Sequence, residues 1–549
     1  MLHTEFLLNQ RPGIVNARGA KEWIKELPVT DARAAHHALA GMLAELEDAS
    51  LAALDRLEIL ETLRAHIDEI DRLYAGRYTA KALPLGPAER NAFDHAKDLW
   101  SRMEDAYWRC ARAAMGDDGP MRPHLALCLA RASWNACTAL AGHVRAGQAF
   151  DLTGFDNLQR YFEAAQRHDV LAQPVADSLH PKRSTNVAAL YRRALLIKQG
   201  AGCASGRERE CVIDLAELWE GKTAMSWLPV SSERLLSKDD LPPAPDGVKQ
   251  CVKVIHAGRW MHMLDVTLIS RSLRRRIHKI GLGAKPEELR LPASFSHAST
   301  EDLLRRLHSA WCEEGNGRVH QRLAAKPGTH AQRVALAHAA TDFSALYYMA
   351  TGEPFVTEEQ KDPLMSRRHA EEMFMFQHAA RAKVDARAEE TARLFEDWDI
   401  MDESASGFRL RRGMHGMRYR RGQLTSLRLS NGAVMLAEVR WLAEPEHGSG
   451  EDAPGAVEAG LQILHGRLSG IALRATGINA QGGRQYTPAF LLKVSQAGES
   501  GFRVVVPAGW FKPRRVVESR QGESTYRLMF EKMLHRGADF EIVEAYMTH

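Results

Sequence analysis

Residues 398–412, WDIMDESASGFRLRR, mark the point where the chain changes character. From here the apolar residues fall into short β-rich segments, Gly407–Arg412, Gln423–Leu429, Ala433–Leu442 and Gly460–Leu464, set off by glycine-containing turns. Tyr486–Val494 and Phe502–Pro507 continue the pattern. Segments of this length and spacing predict a small antiparallel barrel or sandwich. Upstream the spacing is helical. Leu57, Leu60, Leu63, Ile67, Ile70 and Tyr74 step by three and four, with Glu and Arg between them. The fold class expected is therefore multidomain α + β: a long, mainly α-helical N-terminal region, then a small antiparallel β-barrel with a β-rich C-terminal extension.

The helical part is punctuated at Leu83-Pro84-Leu85-Gly86-Pro87, where two prolines and a glycine stop any helix. A second stripe follows in Phe93, Ala96, Trp100, Met103 and Tyr107. No period repeats, so an irregular bundle is expected rather than a solenoid. Cys211–Leu215 reads either as a strand or as the start of a helix, and Leu241–Gly247 (LPPAPDG) as a linker or exposed loop. Ile269, Leu273, Ile277 and Ile280 mark a further helix ended by Gly281-Leu282-Gly283, and helical patterning returns from Thr300 to Phe395. The expected domains are residues 1–200 and 201–380, both mainly helical, a barrel at 381–478 and the extension at 479–549.

Composition narrows the function classes. With 549 residues, 45% hydrophobic and 26% charged, the chain is globular and not a low-complexity polymer. A net charge of only +4 does not announce a nucleic-acid binder. The most apolar run, Leu125–Val144, contains Arg131 and His143, so no membrane span is expected, and the N-terminus does not read as a secretory signal. Seven cysteines, odd in number and without a C-x-x-C, read as reduced thiols in a cytoplasmic protein. The 24 histidines show no metal-binding spacing, and neither a Walker loop nor G-x-S-x-G is present. No metal and no catalytic residue is expected.

Asp402-Glu403-Ser404-Ala405-Ser406-Gly407 satisfies D-x-S-x-x-G. An Asp and a Ser two residues apart on a turn project oxygens to one side as hydrogen-bond acceptors, and the glycine permits a tight turn and close approach to the backbone. After this run come Gly422–Leu429, then Leu436–Leu442 with Val439-Arg440-Trp441, then Gly460–Leu464. Taken in that order, residues 380–475 resemble the PilZ domain, a six-stranded β-barrel receptor for the bacterial second messenger cyclic di-GMP.

The resemblance implies a ligand set of Asp402, Ser404, Gly407 and Arg409, with an upstream R-x-x-x-R whose guanidiniums face guanine edges and phosphates. This chain departs from that motif. Its nearest match is Lys383-Val384-Asp385-Ala386-Arg387, with Arg381 beside it; the lysine keeps the charge but loses the planar fork. Arg381, Lys383 and Arg387 can equally form the solvated face of a helix, and Asp402 an ordinary turn. Two arginine clusters accompany the motif, one at 409–440 with Glu438 as its only acid, and one at Arg271, Arg274, Arg275, Arg276 and Lys279. The resemblance implies a non-catalytic effector that binds cyclic di-GMP and relays it to a protein partner through the helical region, in motility, type IV pili, surface attachment or biofilm formation. The alternatives are a degenerate PilZ module that binds protein without nucleotide, and a nucleic-acid binder using the arginine clusters, although nucleic acid is not the expected partner.

Overall fold

The computed structural model describes residues 16–116, 119–148, 152–180, 183–202, 204, 206–232, 234, 236–243, 249–257, 260–295, 297–313, 323–324, 336–355, 395–430, 432–444, 456–476, 485–493, 502–522 and 524–548. It divides into two compact units, residues 1–81 with 85–318, and residues 82–84 with 319–549.

In the first unit both predicted stripes form helices and are buried along their length. The helices are α1 (Ala17–Ile24), α2 (Ala32–Asp48), α3 (Ala53–Tyr78), α4 (Pro87–Gly116), α5 (Leu125–Ala146) and α6 (Leu152–Arg167). Leu57, Leu60, Leu63, Ile67, Ile70 and Tyr74 line the inner face of α3, and Phe93, Trp100, Met103 and Tyr107 that of α4. Each such side chain, fully withdrawn from water, contributes about 1.5–3 kcal/mol. Pro87 opens α4, where its missing N–H has no partner to lose. A short ladder of β1 (Val175–Ala176) and β2 (Ser184–Thr185) precedes α7 (Val187–Ala201) and α8 (Glu208–Trp219), so Cys211–Leu215 is helical. Three antiparallel strands, β3 (Ala224–Pro229), β4 (Val252–Ala257) and β5 (Trp260–Asp265), then pair in the order β3-β5-β4. They are followed by α9 (Thr267–Gly281) and α10 (His297–Cys312).

The helical reading of residues 300–395 holds at 300–312 and 343–351, needs correction at 323–324 and 336–340, and from 356 to 394 lies outside the described residues. Beyond α10 the chain supplies β6 (Leu323–Ala324) and β7 (Leu336–Ala340), and only then α11 (Phe343–Thr351). β7 reads LAHAA, a composition that favours helix, but its backbone pairs on both edges, and sheet pairing overrides propensity.

Unit two is built from rings of antiparallel strands. β8 (Glu396–Ser404), β7, β10 (Leu424–Leu429), β11 (Val434–Ala443), β12 (Ala456–Ile463) and β9 (Gly407–Gly413) pair in that order, and β9 returns to β8, so six strands close on themselves with β6 added to β8. A second six-stranded ring is a closed barrel: β13 (Arg467–Ala475), β14 (Thr487–Lys493), β15 (Phe502–Pro507), β18 (Phe540–Thr548), β17 (Ser524–Arg536) and β16 (Val516–Gln521). Its interior is an apolar core around Ile471, Leu473, Val504, Val517, Phe530 and Val543. Ala345, Leu346 and Met349 of α11 pack with Leu424 and Leu436 of the first ring and with Phe490 and Val505 of the second.

Candidate functional site

The D-x-S-x-x-G run is a hairpin. Asp402 and Ser404 end β8, Ala405 and Ser406 make the connection, and Gly407 opens β9. Phe408, Leu410 and Arg412 are buried toward the ring, which turns the alternating Arg409 and Arg411 outward. In register, Asp402 stands opposite Arg409 and Asp399 opposite Arg411. Arg409 donates from Nε and Nη2 to Glu458 Oε2 at 3.2 and 2.7 Å, and its Nη1 lies 3.9 Å from Asp402 Oδ2. Ser404 Oγ donates to the Gly407 carbonyl at 3.3 Å. Arg411 is exposed and makes no ion pair among the described residues. Asp402, Ser404, Gly407 and Arg409 are therefore brought together on one outer face. Arg381, Lys383 and Arg387 lie outside the described residues.

Two glycines of the pattern have packing reasons. A Cβ on Gly407 would come within 1.9 Å of the Leu461 carbonyl oxygen, so glycine is required by the β9–β12 approach. A Cβ on Gly460 would meet Trp441 Nε1 at 1.9 Å, and the two residues are cross-strand partners. One contact, an indole lying over a glycine, accounts for both Trp441 and Gly460.

Most of the nearby arginine cluster is committed elsewhere. Arg412 is buried, 3.4 Å from Glu396 and stacked over Trp398 and Tyr419 at 4.9 and 5.6 Å. Arg418 donates to the carbonyls of Ala82 and Pro84, Arg428 to that of Met349, and Arg440 to Glu438. Glu438 answers Arg440 from the same strand, but Glu396 and Glu458, which answer Arg412 and Arg409, lie on other strands. The cluster therefore looked uncompensated when read along the chain.

The helical unit holds a cleft that sequence reasoning missed. Two adjoining cavities of about 860 and 420 Å³ share Trp134, His180, Arg193, Asp214 and Glu217 as lining. The larger lies within the usual size range of ligand sites. The guanidiniums of Arg64 and Arg193 lie 5.2 and 5.0 Å from the Trp134 ring, within cation–π distance. Arg64 Nη1 donates to Asp177 at 3.0 Å, and Asp177 also meets His180 Nδ1 at 2.9 Å. Burial opposes ionisation of Asp177, but the bonds from His180, the Leu179 N–H and Arg64 outweigh it and hold its carboxyl below the usual range. Asp214 is raised, by burial and by Glu210 beside it. Arg131, 2% exposed, donates to both oxygens of Glu61 at 2.8 and 3.1 Å. An arginine inside the apolar run Leu125–Val144 was the one visible signal of this polar interior.

Residues 18–226 match the family described as the N-terminal domain of the cyclic-di-GMP receptor FimW. The match falls on the helical unit and not on residues 380–475, which carry the resemblance in the sequence. No curated protein and no solved structure matches the chain. Among the described residues, no helix is long and apolar enough to cross a membrane, and no group of three or more side chains could hold a metal ion.

Proposed function

We propose that this chain is a cytoplasmic cyclic di-GMP receptor and non-catalytic effector, with a PilZ-like ring at β7–β12, that binds the nucleotide on the outer face of the β8–β9 hairpin. The observation that carries the receptor reading is the match of residues 18–226 to the N-terminal domain of a cyclic-di-GMP receptor. The location is supported by the convergence of Asp402, Ser404 and Arg409 beside an exposed Arg411. Asp402 and Ser404 would accept guanine N–H groups, Arg409 and Arg411 would meet phosphates, and the upstream Arg381, Lys383 and Arg387 would add cationic contacts. The helical unit would pass the signal to a protein partner in motility, type IV pili, surface attachment or biofilm formation.

A second reading places the nucleotide in the helical cleft. It is favoured by Trp134, a partly exposed ring with Arg64 and Arg193 within 5.2 Å, inside the matched segment. Against it, the larger cavity is lined by Asp177, Asp214, Glu217 and Glu220 as well as by Arg183, Arg193 and Arg290, and Arg183 and Arg193 are already paired with Glu217 and Glu220. Calorimetric titration of the full chain with cyclic di-GMP and with GTP tests the receptor reading. Saturable heat with the cyclic dinucleotide alone supports it; no heat with either leaves a protein-binding module.

A further inference from the structure

The second arginine cluster lies on α9, and the structure separates its members. Ile269, Leu273 and Ile280 bury one side of the helix. Arg276 stacks over Trp219 at 5.1 Å, and Arg274 Nε lies 3.2 Å from His308 Nε2, so these two serve the fold. Arg271, Arg275 and Lys279 are exposed, spaced by four along the helix, and point away from the buried side. They make no ion pair among the described residues, and the helix contains no acid. Acids of α10 are engaged with its own basic residues, Glu301 with Arg305 and Asp302 with Arg306. Burial lowers the Arg276 guanidinium, and its like-charged neighbours Arg290 and Arg275 lower it further.

Two exposed leucines complete the face. Leu268, 43% exposed, stands at its start, and Leu282, 75% exposed, directly follows the helix. At 1.5 Å per residue they are separated by about 21 Å, with the three cations between them. By helical rotation, Leu268, Arg271, Arg275 and Lys279 share one arc of less than a quarter-turn.

We infer that this face of α9 docks on an anionic phospholipid surface, with Arg271, Arg275 and Lys279 at the headgroup phosphates and Leu268 and Leu282 entering the bilayer interface at either end. Charge complementarity selects an anionic partner, and the leucines select lipid over nucleic acid. A nucleic-acid backbone offers nothing apolar to cover them, whereas the acyl boundary does. The surface is independent of the proposed nucleotide site.

Co-sedimentation of the full chain with vesicles of phosphatidylcholine plus phosphatidylglycerol, against phosphatidylcholine alone, is the test. Binding is expected to the anionic vesicles only, and to weaken steeply with added salt. Arg271→Gln/Arg275→Gln/Lys279→Gln should weaken it on the order of a hundredfold, and Leu268→Asn/Leu282→Asn about tenfold, both with wild-type thermal midpoints. Equal sedimentation with both vesicle types, or wild-type binding by the triple variant, overturns the inference. So does a leucine variant that binds vesicles normally while the arginines control affinity for a duplex oligonucleotide; that result assigns the face to nucleic acid.

Discussion

Asp71 shows how far burial shifts a single group. It is 5% exposed and accepts a bond from Trp100 Nε1 at 3.1 Å. Burial, opposed by Arg145 and reinforced by Asp68, raises its carboxyl to about 7. Below about pH 4 the group is protonated in folded and unfolded chains alike, so its burial carries no pH-dependent penalty. Above that the unfolded chain ionises while the folded chain holds its proton, and stability falls as the pH rises toward 7. Asp71→Asn should therefore leave the thermal midpoint unchanged near pH 4 and raise it near pH 7, where the gain in stability is at most roughly 3–4 kcal/mol. A variant equally displaced at both pH values would contradict this. At the proposed nucleotide site, Lys383→Arg restores R-x-x-x-R and should tighten cyclic di-GMP binding, while Arg387→Lys should weaken it. One bidentate contact is worth roughly 1–3 kcal/mol before ordering costs. Equal calorimetric affinities in wild type and both variants would place this stretch away from the ligand.

At the scale of elements, Gly407 separates a ligand role from a packing role. If it only let a nucleotide approach, Gly407→Ala would lower affinity and spare stability. The structure predicts the reverse order: a methyl group 1.9 Å from the Leu461 carbonyl forces β9 and β12 apart, with a loss of about 1–3 kcal/mol seen in thermal unfolding without ligand. Unchanged unfolding would refute the packing account. The strands legible in the sequence were those with bulky β-branched or aromatic residues between glycine turns, and they recur as β9–β12, β14 and β15. β7 was not legible, because three of its five residues are alanine and only pairing makes it a strand. β8 was hidden for another reason: its last residues belong to D-x-S-x-x-G and read as turn, although only Ala405 and Ser406 turn. The small sheet β3-β5-β4 was hidden in a stretch without clear periodicity. At the site, Asp402, Ser404, Gly407 and Arg409 were legible as a motif. Glu458 was not, since its relation to Arg409 exists only through the pairing of β9 with β12.

Across the whole molecule, two lines of support for one ligand fall on different units. The family match covers residues 18–226, in the helical unit, and the motif lies on the β8–β9 hairpin of the other. The central claim, nucleotide at the hairpin, is tested most directly by titrating cyclic di-GMP into wild type, Asp402→Ala and Trp134→Ala. Asp402→Ala leaves Arg409 bound to Glu458 at 2.7 Å, so the ring should fold normally. Loss of a charged acceptor should weaken binding about ten- to a hundredfold, while Trp134→Ala binds as wild type. Wild-type affinity in Asp402→Ala together with lost binding in Trp134→Ala would contradict the account and place the nucleotide in the helical cleft.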